Sequence, residues 1–185
     1  KKLKVKYFFL KKNKNYNFKK LTYIGSLYPS GNPRKKNIND LKKAMNLKFK
    51  NYKRIYVSRN KSKRRRIVNE QNLISLLKSY KFEILYSEKM SFKKQLEVFS
   101  TAKFIIGLHG AGLTNLIWMK EKNHLIEIKP EKDLYLNCYF NLSSLLNINY
   151  HYLLCKKKNI IGSSKNSDYE IDLSALKKKL DKIVR

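Results

Sequence analysis

Short apolar runs separated by helix-length amphipathic stretches recur along this chain from about residue 53 onward. RIYVS (54–58), FEILY (82–86), KFIIG (103–107), HLIEIK (124–129) and YHYLL (150–154) are strand-length and rich in β-branched and aromatic residues. Between them the apolar positions take helical spacing: Leu73, Leu76, Leu77 and Tyr80 fall at i, i+3, i+4 and i+7. SFKKQLEVFSTA (91–102) reads as a helix capped by Ser91. Further helices are predicted over about 112–119 and 135–146, and from Asp172, where Leu173, Leu176, Leu180 and Ile183 share a face. Strands that are apolar throughout, rather than alternating, belong in a mainly parallel sheet covered on both sides. The predicted fold class is therefore α/β, a Rossmann-like, mainly parallel sheet of five strands with helices on both faces.

Residues 1–50 read differently. They are rich in Lys and Asn, carry turn signals at YPSGNP (28–33), and offer one short helix from Asn39 to Phe49. We read them as a linker or peripheral layer and residues 51–185 as the folded domain, long enough to bury a core without disulfides or a metal.

Charge narrows the partners. Lys and Arg number 43 against 13 Asp and Glu, a formal net charge of +30, which favours an anionic partner such as a phosphorylated substrate, anionic lipid or nucleic acid. Much of it is solvated surface in a chain biased toward Lys, Asn, Ile and Tyr. Arginine is scarcer: five of the seven (Arg54, Arg59, Arg64, Arg65, Arg66) fall within thirteen positions, where a planar fork matters more than a point charge. Cys138 and Cys155 lack metal-ligand spacing, which suits a reducing compartment. With no signal-peptide pattern and no membrane-length apolar run, the expected location is cytoplasmic, with charge able to hold the chain at the inner face of an anionic membrane.

FIIGLHGAGLTNLIWM (104–119) concentrates three of the six glycines at a strand-to-helix junction. Ligands of open α/β sheets sit beyond the carboxyl ends of the strands. Gly107, Gly110 and Gly112 there are expected to allow unusual backbone angles and close approach, while free N–H groups of the next helix attract an anion. The spacing G-x-x-G-x-G is neither the dinucleotide fingerprint nor a Walker loop, and tight packing alone would also account for such a turn. His109, between two glycines, is a candidate ligand contact, whereas His124 and His151 read as structural. Arg59 ends the first strand and so reaches the same rim, while Lys61, Lys63 and Arg64 read as a solvated loop. Glu127, a carboxylate in an apolar strand, needs partners; ribose hydroxyls, an arginine, or the solvated rim would each serve.

Taken together, YVSRNKSKRRRIVNEQNL, EKMSFKKQLEVFSTAKFIIGLHGAGLTNLIWM and HLIEIKP resemble the domain pattern of glycosyltransferase family 61 over about residues 53–155, and DYEIDLSALKKKL resembles its closing segment. The resemblance implies an inverting GT-B type transferase using a nucleotide-sugar donor and a glycan or other hydroxyl acceptor, as in capsular and other surface-polysaccharide synthesis. It implies that this region is the donor-binding C-terminal half and that residues 1–50 are the remnant of an acceptor domain. By position, Arg59, Arg66 and Asn69 would lie by the diphosphate or its supporting shell. His109, Gly110, Ala111, Gly112, Leu113, Thr114 and Asn115 would contact diphosphate and sugar, and Glu127 would lie by the nucleoside. Glu88 and Gln95 match the pattern as mainly structural residues.

No D-x-D pair offers a metal site; Asp168-Tyr169-Glu170 reads as the approach to the last helix, so metal-independent chemistry without a cofactor is expected. No residue is named as general base. The acceptor half is expected from a further domain or a partner chain; the alternatives are a catalytically inactive partner of a transferase and a basic nucleic-acid-binding module. The second is disfavoured because the charge is dispersed and no recognition motif is visible.

Overall fold

The computed structural model describes residues 11–20, 33–47, 50, 52–60, 62, 65–131, 137–158 and 167–184. The turn signals over 28–32, the predicted helix end at 48–49, Lys61, Lys63, Arg64 and the helix start at 135–136 lie outside them. The strands are β1 (Lys53–Val57), β2 (Glu83–Leu85), β3 (Ala102–Leu108), β4 (His124–Pro130), β5 (Asn149–Lys158) and β6 (Asp168–Ile171). The helices are α1 (Lys35–Ala44), α2 (Glu70–Ser79), α3 (Phe92–Ser100), α4 (Cys138–Leu145) and α5 (Leu173–Ile183).

These strands form one sheet in the order β2-β1-β3-β4-β5-β6. The first five run parallel and β6 pairs antiparallel with β5. This is the Rossmann-like α/β architecture expected, with a sixth strand where the approach to the last helix was predicted. Asp168–Ile171 is short and carries two acids, so its strand character comes from pairing with β5 rather than from its own pattern.

Side-chain alternation divides the core in two. On one face Val57, Ile105, Leu113, Leu116, Leu125 and Leu142 join Ile38 of α1 and Phe99 of α3. On the other Tyr56, Ile106, Ile126 and Ile128 pack with Leu73 and Leu77 of α2 and Leu176 and Leu180 of α5. The segment read as linker or peripheral layer therefore contributes a helix to this core, ten residues starting at Lys35 rather than Asn39. Local capping follows the sequence: Ser91 accepts from Lys94 N–H, and Asp172 accepts from the Ser174 and Ala175 N–H groups. The predicted helix after the glycine turn is instead a 3₁₀ helix, Ala111–Trp118. Its tighter winding is stapled by Asn115, whose side-chain amide donates to Gly112 O and Gln95 Oε1 and accepts from Trp118 Nε1.

His124 and His151 face each other at the amino-terminal end of β4 and β5, as structural residues. Their rings stack at 12°, His124 also stacks on Phe104, and Nδ1 of His124 lies 3.2 Å from Nε2 of His151. Burial above all, then the neighbouring His151 and Lys103, pulls His124 below its ordinary value of 6.5. Burial and then Lys179 pull His151 down from the same value. The unfolded chain therefore binds more protons than the folded one just below pH 6.5. The stability of the neutral pair is fully present above that value and is lost as the pH falls through the depressed folded-state range. Thermal melts should show Tm dropping on acidification from pH 7 toward pH 5, and His151→Gln should flatten that slope; an unchanged slope would show that the pair does not titrate on folding.

Candidate functional site

The chain order turns round at β1: β2 lies to one side and β3 to the other, so the loops leaving β1 and β3 diverge and open a crevice at their carboxyl ends. Arg59 leaves β1 into this crevice and the turn His109–Gly112 leaves β3 into it. The two meet. A Cβ built on Gly110 would lie 2.7 Å from Nη1 of Arg59, so the absence of a side chain is what lets the guanidinium rest on the turn.

The glycines thus act by close approach. The expectation of unusual backbone angles is corrected: Gly110 is extended (φ 166°, ψ 167°), a conformation open to any residue. Gly107 admits Leu113, whose Cδ2 would be 2.9 Å from an added Cβ. The left-handed residue of the site is Arg65, with φ 57°, a conformation costing about 1–2 kcal/mol for a residue with a side chain.

Within the arginine cluster, no local pattern singles out Arg65. Its Nη1 donates to the His109 carbonyl at 3.3 Å, bringing a second guanidinium to the turn. Burial, and then the Arg65 charge, pull the Arg59 guanidinium down from its ordinary value. It remains protonated, and the charge of an anion bound between the two would oppose this shift. Arg59 Nη2 also donates to Ser62 Oγ at 3.1 Å. The 3₁₀ helix adds the N–H groups of Ala111 and Gly112, which winding leaves without intrahelical acceptors.

Behind the turn lies Glu127, with no exposed surface, in register with Gly107 of β3 and Tyr152 of β5. Oε1 pairs with Nδ1 of His109, and Oε2 accepts from the Tyr150 hydroxyl at 2.6 Å. Both oxygens are engaged by protein, so Glu127 faces His109 and Tyr150. With Nδ1 turned to the carboxylate, Nε2 is the imidazole's remaining polar atom; the His109 side chain is 12% exposed. Burial, then the hydrogen bond to Glu127, pushes the Tyr150 phenol well above its usual range and keeps it a donor. Tyr139 packs edge-on against His109 and donates to Gly110 O at 2.6 Å, with Thr114 beside its hydroxyl.

The other expected residues lie elsewhere in the scaffold. Asn69 donates to Ile171 O (2.8 Å) and accepts from Ile171 N–H (3.1 Å), clamping β6. Arg66 pairs with Asp168 through Nη2 at 3.6 Å and through its backbone N–H at 2.9 Å. Leu113 is in the core, Asn115 staples the 3₁₀ helix, and Gln95 is structural as read, its Nε2 donating to Ser87 O and Met90 O. No signal in the sequence marks Tyr139 or Tyr150 among its 13 tyrosines.

Two cavities flank the turn along the sheet edge. One, about 400 Å³, lies beyond β4 and β5, lined by Lys129, Asn137, Phe140, Tyr150, Tyr152 and Leu154. Phe140 and Tyr152 there are about half exposed, at 51% and 52%. The other, about 200 Å³, lies between β1, β2 and β3 and includes Arg59, Ser62, Ser87, Glu88 and Gly112. Among the described residues no group of three or more His, Cys, Asp or Glu is placed to hold a metal, and no helix is long and apolar enough to cross a membrane.

The chain is thus a doubly wound α/β protein whose switch point brings together two arginines and a glycine turn. The glycosyltransferase 61 family model matches residues 5–126, and the chain belongs to that family. Among curated relatives, the "EGF domain-specific O-linked N-acetylglucosamine transferase" of Drosophila melanogaster is 32% identical over 98 residues, covering 51% of this chain and 18% of that protein. The protein of the same name from Gallus gallus is 31% identical over 101 residues, with the same two shares, 51% and 18%. The match thus spans about a fifth of the relatives' length.

Gly107→Ala should destabilise the fold by about 1–3 kcal/mol in urea titrations, because the added methyl meets a buried Leu113. Gly110→Ala should leave the midpoint nearly unchanged, since the atom it meets is the end of a flexible side chain, while pushing Arg59 off the turn. Equal losses in both would show that the Gly110 approach is structural.

Proposed function

We propose that this domain binds the diphosphate of a nucleotide-sugar donor at the His109–Gly112 turn and serves an inverting sugar transfer to a hydroxyl of a glycan or related acceptor. The observation that carries this is the convergence of Arg59 and Arg65 on the turn at the β1/β3 switch point. Two guanidiniums held together at partial burial repel one another, and a diphosphate is the ligand whose charge and forked oxygens match them. Family membership supports the donor class, and the sheet supports its assignment to the donor half of a GT-B type enzyme.

The chemistry follows from charge. As the acceptor oxygen attacks the anomeric carbon from the face opposite the leaving group, negative charge grows on the diphosphate. Arg59, Arg65 and the Ala111 and Gly112 N–H groups are preorganised donors at that place, and one such donor is typically worth about 10²–10³ in rate. Glu127 acts through His109 as a positioning residue, and Tyr150 fixes the second carboxylate oxygen. The nucleoside lies toward β4 and β5, where Phe140 and Tyr152 offer stacking surface to a base. The relatives' names make N-acetylglucosamine nucleotides the first donors to try.

Calorimetric titration of the chain with uridine, guanosine, cytidine and adenosine diphosphates tests this. One should bind saturably, and Arg59→Ala and Arg65→Ala should each weaken it at least tenfold. Binding and any donor hydrolysis should survive EDTA, because the guanidiniums supply the neutralising charge. Absence of nucleotide binding alongside salt-sensitive RNA or DNA binding would overturn the reading.

A further inference from the structure

The smaller cavity opens directly beside the proposed diphosphate donors, with Arg59, Ala111 and Gly112 in its lining. It sits between β1, β2 and the 3₁₀ helix, on the side of Arg59 away from the aromatic groove. Its apolar wall is Val57, Leu108 and Leu113, and its polar wall includes Ser62, Ser87 and Glu88. At about 200 Å³ it falls below the usual 300–1,000 Å³ range of sites for larger ligands, leaving room for a single ring.

Glu88 is the unusual member. In a chain of net charge +30, the described carboxylates are almost all engaged by a cation, a hydroxyl or a helix N-terminus. Among the described residues the carboxylates of Glu88 and Glu131 are the two with neither an ion pair within 4 Å nor a hydrogen bond. Glu88 is exposed at the cavity and within electrostatic reach of Arg59. Gln95 anchors the backbone of the 87–90 turn that carries it, through Ser87 O and Met90 O, and accepts from Asn115, which ties that turn to the 3₁₀ helix.

An acceptor-only carboxylate between serine hydroxyls and an apolar wall suits a polyol ring: hydroxyls donate to the carboxylate and C–H faces lie on the aliphatic side chains. We propose that this cavity is the monosaccharide subsite of the donor and that Glu88 is its specificity-determining residue, accepting hydrogen bonds from ring hydroxyls. The assignment rests on the nucleotide-sugar reading of the glycine turn. The donor then lies along the sheet edge, base toward β5, diphosphate at β3, sugar between β1 and β2.

Charge gives a distinctive test. Calorimetry on the full chain would compare uridine and guanosine diphosphates with UDP-glucose, UDP-N-acetylglucosamine and GDP-mannose, for wild type, Glu88→Gln and the control Glu131→Gln. Wild type should bind one conjugate at least tenfold more tightly than its bare diphosphate. Glu88→Gln should abolish that increment, while bare diphosphate binds equally or a few-fold more tightly because a nearby negative charge is gone. The control should change neither. Conjugate affinity unchanged in Glu88→Gln, or conjugate and bare diphosphate weakened alike, would overturn the sugar subsite while leaving the diphosphate site standing. If wild type binds no diphosphate, the nucleotide-sugar reading falls and the subsite with it.

Discussion

A carboxylate with no exposed surface in a central strand must have both oxygens satisfied by the protein, and Glu127 meets that requirement by organising the site. One oxygen orients His109 and the other holds Tyr150, so three adjacent strands are joined by side chains as well as by the backbone ladder. His109 also donates its backbone N–H to Ile128 O at 2.8 Å, which ties the start of the glycine turn to β4. The turn that receives the arginines is therefore anchored to the neighbouring strands by side chain and backbone.

The second organising feature is the distribution of cations. Most of the +30 charge is carried by lysines, many of them exposed, where solvent and salt screen it. Arg59 and Arg65 differ because the fold brings them together at partial burial, where the His109 carbonyl, the Ser62 hydroxyl and the Glu88 charge are among the groups that offset their repulsion. Net charge is thus a poor guide to the site here. Arg59 and Arg65 are picked out by where the β1 loop and the glycine turn meet.

Arg66 and Asn69 of the R-x-x-N element lie in the scaffold behind the loop that carries the arginines. Asn69 and Arg66 secure β6 to the loop after β1, reinforced by the Ile67–Tyr169 bridge and the Val68 N–H donating to Tyr169 O at 2.8 Å. Buried Glu70 performs a similar task nearby, accepting from Tyr56 and Ser58 at 2.7 and 2.8 Å. Together they hold the loop that carries Arg59 and Arg65.

By itself the sequence determined the alternation of strands and helices, the capping by Ser91 and Asp172, and the convergence of Arg59 and the glycine turn on one sheet edge. Each follows from local periodicity or from the rule that parallel strands present their carboxyl ends together. The tertiary structure alone decided that β6 is a strand, that the glycines serve approach rather than backbone angle, that Arg65 is the second arginine, and that Glu127 turns inward. Those outcomes depend on contacts between residues far apart in the chain, such as Asn69 with Ile171 and Arg65 with His109, and no local pattern of residue types encodes which partners will meet.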